Sequence, residues 1–196
     1  MSGRVRFTET MTGTGVVPAG PAPAADWNGD PAVFHRTAAA AQPTETDQVA
    51  LVLAGLVIEI DPAVGPDDGL VGWVTGGQVS VGDRRLAVVG GGFVALGRAP
   101  GTPGRSLRYR LALVDGAGRA HRLYGLKEVA PGAPWPWRRW TQTTRMRALL
   151  VGDGRVLLVG QVRIGLLALL RQVASFRGHP WAVGVFVARF LGRLAG

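Results

Sequence analysis

The chain has 196 residues, 47% of them hydrophobic, with three histidines and no cysteine. That length supports one domain with a sizeable core. The lack of cysteine excludes disulfides, thiolate catalysis and Cys-based zinc sites and fits a reducing compartment. The formal charge of +9 is almost entirely arginine, Lys127 being the only lysine. The arginines are scattered, so the charge reads as a compositional bias and a nucleic-acid partner is disfavoured. Arg4 and Arg6 have no apolar run behind them. A secretory signal is therefore not expected, and the cytoplasm is the default location.

In chain order, Val5–Thr10 alternates with a period of two and predicts a half-buried strand. Residues 18–47 contain five prolines and the run Ala38–Ala41 and read as a long connection, with Trp27 and Phe34 pinning it to the core. Strands are then predicted at Val49–Ile60 and at Leu70–Val81, the latter either one bulged strand or two short ones about Gly76-Gly77. Leu86–Leu96 follows, with Gly90-Gly91-Gly92 as a place where the sheet bends or another strand comes close. Leu107–Asp115 alternates cleanly, and Asp115-Gly116-Ala117-Gly118 turns it into Arg119–Val129. Thr141–Val151 is joined to Arg155–Arg163 through Gly152-Asp153-Gly154. After Ile164 the period becomes helical, with Leu166, Leu170, Val173 and Phe176, and Gly178 and Pro180 separate a second segment at Trp181–Leu194. The whole predicts a mainly β domain, an antiparallel meander of about eight strands followed by C-terminal helices over 164–195. A lipocalin-like barrel is favoured and a sandwich is the alternative.

No usual route to catalysis is visible. His35, His121 and His179 lack metal-site spacing, and none of the serines at 2, 80, 106 and 175 lies in a nucleophile elbow. The triple glycine is not followed by a phosphate-binding Lys-Ser/Thr, and no dinucleotide fingerprint is present. Glu9 and Glu59 could meet in a barrel as an acid/base pair, but pairing with arginine is the simpler expectation for such carboxylates. No cofactor and no metal are expected. Trp135, Trp137 and Trp140 around Arg138-Arg139 form the one arginine–aromatic cluster, read as a core-capping loop or else a protein-binding segment. The tail over 180–194 is too short to span a bilayer; its face of Val183, Phe186, Val187 and Phe190 docks on the barrel or, beside Arg189 and Arg193, on an anionic membrane.

A set of fragments occurs in a suggestive order: Arg6 to Gly13 (RFTETMTG), Gly92-Phe93, Tyr109-Arg110-Leu111, Tyr124-Gly125-Leu126-Lys127, and Trp140-Thr141-Gln142-Thr143-Thr144. Together they resemble the β-rich accessory domain of bacterial cholesterol-oxidase-like proteins of the glucose–methanol–choline oxidoreductase group. The resemblance covers most of the chain outside residues 18–45, and departs from the family where an aspartate precedes the paired threonines and this chain has Gln142. It implies a non-catalytic accessory or binding domain associated with oxidation of sterols, lipids or other hydrophobic substrates. The partners it implies are a hydrophobic small molecule and a separately encoded oxidoreductase or hydrolase. Within the matched fragments Glu9, Tyr109, Tyr124, Lys127, Trp140 and Thr143 are the candidate ligand-binding residues. A small barrel enzyme acting through Glu9 with Lys127 or Tyr109 is the alternative, and it requires those side chains to share one apolar pocket.

Overall fold

Period-two alternation places one set of side chains on each face of a strand, and in this chain the apolar set is long enough to line a closed interior. A computed structural model describes residues 3–24, 27, 29–41, 43–62, 69–98, 104–129 and 142–195. Among the described residues there are nine strands: β1 (Val5–Pro18), β2 (Ala22–Pro23), β3 (Pro43–Ile60), β4 (Leu70–Val81), β5 (Arg84–Arg98), β6 (Arg105–Asp115), β7 (Ala120–Val129), β8 (Arg145–Gly152) and β9 (Arg155–Arg163). Three helices, α1 (Pro31–Ala40), α2 (Leu166–Ala174) and α3 (Pro180–Ala195), complete the set of longer elements.

Each strand pairs antiparallel with the next in the order β1-β3-β4-β5-β6-β7-β8-β9, and the sheet closes where Thr12–Val16 of β1 pairs with Arg163–Val159 of β9. This is an eight-stranded up-and-down barrel, and the short β2 extends the free part of the β9 edge at Val156. The barrel, rather than the sandwich, is the architecture. Along β1 the inward residues are Val5, Phe7, Glu9 and Met11, while Arg6 and Thr8 face solvent. On β6, Leu107, Tyr109, Leu111 and Leu113 are buried and Arg110 is exposed. On these two strands the apolar phase faces the interior.

The turns follow their residues. Asp153 and Gly154 both have positive φ, 49° and 69°, as a two-residue type I′ hairpin requires. Asp115 Oδ1 accepts hydrogen bonds from the Ala117 and Arg119 amides, and these bonds hold its carboxyl well below the usual range. Leu70–Val81 is one strand, with register shifts in its pairing to β3 between Ala54 and Ile58. The triple glycine lies inside β5, where a Cβ on Gly91 would fall 2.4 Å from the Arg110 carbonyl oxygen.

The largest departure from the sequence reading is at 18–47, expected as a long loop. It holds the end of β1, the short β2, a complete helix and the beginning of β3. Asp30 caps α1 by accepting from the Ala32 amide at 2.8 Å, and Pro31 occupies the first turn, where its missing N–H costs nothing. Trp27 and Phe34 do pin this segment, but to the outside of the barrel. With Tyr124, Leu126, Leu149, Val151 and Val156 they form a second cluster over β7 to β9. The strand expected from Thr141 begins instead at Arg145, after a helical turn at 142–144.

At one end of the barrel α2 and α3 form a lid. The linker between them is tied to β1 by reciprocal backbone bonds between Arg6 and Arg177, and Ser175 Oγ accepts from the Thr8 amide at 2.9 Å. Ala182 and Phe186 of α3 are buried against the core. No described helix is long and apolar enough to cross a membrane.

The close approach at Gly91 gives a direct test. Gly91→Ala is expected to lower stability by about 1–3 kcal/mol through forced backbone displacement, whereas Gly92→Ala, with open space around its Cβ, is expected to be neutral or mildly stabilising. Urea midpoints of the two variants check the contrast.

Candidate functional site

Among eight strands β6 lies diametrically across the barrel from β1, so inward side chains of the two strands point at each other. Glu9 on β1 meets Tyr109 on β6 and Lys127 on the adjacent β7. Lys127 Nζ donates to Glu9 Oε1 at 2.7 Å, and the Tyr109 hydroxyl donates to Glu9 Oε2 at 2.7 Å. All three residues are fully buried, and the ammonium also lies 5.1 Å from the centre of the Tyr109 ring. The result is a polar bridge across an otherwise apolar interior. On one side of it, two positions along β1 and β6, Met11 and Leu111 are fully buried in the core.

On the other side is a cavity of about 350 Å³. Its floor is the bridge, its walls include Phe7, Phe93, Leu107 and Ile164, and its roof is the inner face of the lid with Leu169, Gln172, Val173, Val183, Phe186 and Phe190. Aromatic contacts run from wall to roof: Phe7 stacks on Phe176 at 5.0 Å, Phe93 meets Tyr109 at 4.8 Å, and Phe186 lies 5.7 Å from Phe176. Thr143, buried, and Thr144 stand at the rim.

The bridge has a definite charge state chemistry. Burial, and after it the charge and hydrogen bond of Glu9, push the Tyr109 phenol well above its ordinary value, so it remains a neutral donor. Both Glu9 oxygens are engaged. A lysine ammonium has three N–H donors, and among the described residues Glu9 is the acceptor recorded for Lys127. Lys127 also lines the cavity. At the roof, Gln172 Oε1 is buried and has no hydrogen-bond partner among the described residues. The cavity thus combines apolar walls with the buried Lys127–Glu9–Tyr109 bridge at its floor.

Of the candidate residues, Glu9, Tyr109, Lys127 and Thr143 come together. Tyr124 does not: strand alternation turns it to the outer wall, where its ring packs 5.6 Å from Trp27 under α1. Trp140, like the whole Trp135–Trp140 segment, lies outside the described residues. The Glu9–Glu59 pair does not form either. Glu59 faces outward beside Arg4 and Arg6, at 3.8 and 4.0 Å, as expected of a surface carboxylate. Glu9 itself departs from that expectation, having a lysine partner in the interior. His121 is half-buried 3.4 Å from Asp115, away from this cavity. Sequence reasoning missed Phe7, Leu107 and Gln172. The first two occupy the inward register of Glu9 and Tyr109 and could have been read from it; nothing in the sequence marks Gln172.

No protein-family model matches the chain, and comparison with curated proteins and with solved structures finds no match either. Among the described residues no group of three or more His, Asp or Glu is placed to hold a metal ion.

The buried pair predicts an asymmetric mutational response. Lys127→Met or Glu9→Leu alone leaves an unpaired buried charge and is expected to cost about 3–5 kcal/mol, while the double variant E9L/K127M is expected to regain most of it. Denaturant titration of the three variants measures this directly; equal costs summed in the double variant would contradict a coupled pair.

Proposed function

We propose that the barrel is a binding module for a small, mostly apolar molecule carrying one hydrogen-bond acceptor, held with its body against the phenylalanines and its polar end at Lys127. The observation that carries this is the apolar cavity ending on the buried Lys127–Glu9–Tyr109 bridge. Ligand sites are typically apolar hollows with a few placed polar groups. Size narrows the class. At about 30 Å³ per water-sized group, the cavity volume of about 350 Å³ takes roughly a dozen non-hydrogen atoms. A ten-carbon alcohol, acid or aldehyde is of this size. An accessory role beside a separately encoded lipid-oxidising enzyme belongs to this proposal, and its support is the resemblance of the ordered fragments.

Full-length protein incubated with decan-1-ol, decanoic acid, decanal and cholesterol and examined by native mass spectrometry is expected to retain a ten-carbon ligand with a dissociation constant below millimolar. E9L/K127M, which keeps the volume and removes the donor, is expected to bind it about 10- to 100-fold more weakly, the weight of one charge-assisted hydrogen bond. Equal binding by both proteins, or none below millimolar, would remove the reading.

A second reading, a barrel enzyme, is favoured by one observation: the only lysine of the chain stands buried in the cavity beside a carboxylate. Transfer of the ammonium proton to Glu9 would leave an amine able to condense with an aldehyde, releasing water. Decanal with cyanoborohydride is expected, on this reading, to leave a reduced adduct mapped to Lys127, and an unmodified Lys127 after saturation with decanal excludes it.

A further inference from the structure

The two lid helices do more than roof the cavity. Ten large apolar side chains are exposed among the described residues, and seven of them lie on α2 and α3. Helix α2 buries none of its residues. Leu166 and Leu167 are 74% and 69% exposed, Leu170 and Val173 are over half exposed, and Trp181 at the start of α3 is 62% exposed. Of the helical stripe Leu166, Leu170, Val173 and Phe176, the two leucines are turned outward, while Val173 also borders the cavity and Phe176 packs on Phe7. A contiguous apolar face of this kind on a lone chain marks a contact surface.

Charge decides what covers it. Beyond Asp153 the chain has six arginines, at 155, 163, 171, 177, 189 and 193, and no aspartate or glutamate. Arg163 and Arg171 are exposed next to the leucines of α2. A second copy would bring the same positive sign to the same face and be repelled. An anionic phospholipid surface supplies both an apolar phase for the leucines and Trp181 and a negative potential for the arginines.

We infer that α2 and the beginning of α3 dock the barrel on an anionic membrane surface, lying in the interface without crossing the bilayer. The cavity opens on this face, because Val173, Val187 and Leu191 both line it and reach solvent. An amphiphile could then pass between bilayer and barrel without entering bulk water. That last step rests on the binding function proposed above, whereas the docking rests on exposure and charge alone.

The test is co-sedimentation of the full chain, without added ligand, with phosphatidylcholine vesicles and with vesicles in which about a third of the lipid is phosphatidylserine. The protein is expected to pellet with the anionic vesicles, less with the neutral ones, and less at high salt. Substituting L167S and L170S together, at exposed positions, is expected to reduce the bound fraction on the order of tenfold or more with unchanged circular dichroism, and Arg171→Glu to weaken it while flattening the dependence on anionic lipid. Pelleting that ignores lipid charge, or is unchanged in both variants, overturns the inference. So does a dimer in light scattering that L167S/L170S dissolves while vesicles remain unbound. Because the ligand experiment uses no vesicles and this one no ligand, either can fail alone.

Discussion

Closure of the sheet between β1 and β9 is the constraint on which everything else in the molecule depends. Once Thr12–Val16 pairs with Val159–Arg163, eight strands enclose an interior just wide enough for side chains or one small ligand. No sheet edge is left along that seam for another chain to extend. Closure also decides that inward residues from opposite walls must meet, which is why Glu9 and Lys127, 118 positions apart, come within 2.7 Å.

An ionised pair in an apolar barrel is a weak source of stability, because the desolvation of both charges offsets most of their attraction. Leucine and methionine would fill the same space more simply. What the pair provides is a polar floor at a defined depth, braced by the Tyr109 hydroxyl and by the tyrosine's contact with Phe93. Buried core side chains such as Met11 and Leu111 flank this floor along β1 and β6. The lid leaves the space on the other side open, so one barrel combines a buried core with a hollow end.

Much of the fold was legible locally. The alternation of β1 and β6, the Asp115 turn and the Asp153-Gly154 hairpin are set by residues a few positions apart; β6 agrees closely with its expected bounds, while β1 starts as expected at Val5 but runs on past Thr10 to Pro18. Helix α1 was also signalled, by Asp30 before Pro31, but alanines and prolines around it masked the signal. Tyr124 shows where local reading stops. In β7 every residue from Leu123 to Lys127 is buried, with the two faces packed against different clusters, so hydrophobicity alone does not tell the barrel interior from the outer wall. For α2 the periodic stripe was read correctly, while its orientation depended on what remained exposed after α3 had covered the barrel end.

By itself, the sequence determined strand identity, turn type, the antiparallel meander and the helical tail, because each follows from interactions within a few residues. Composition likewise determined that cysteine chemistry is absent and that the last part of the chain is purely cationic. Only the tertiary structure decided that the meander closes into a barrel, that Glu9, Tyr109 and Lys127 form one bridge, and that Leu166, Leu167 and Leu170 of α2 face outward. Those outcomes depend on register across the barrel and on competition between elements for the same apolar surface. Neither quantity is a property of any single stretch of chain.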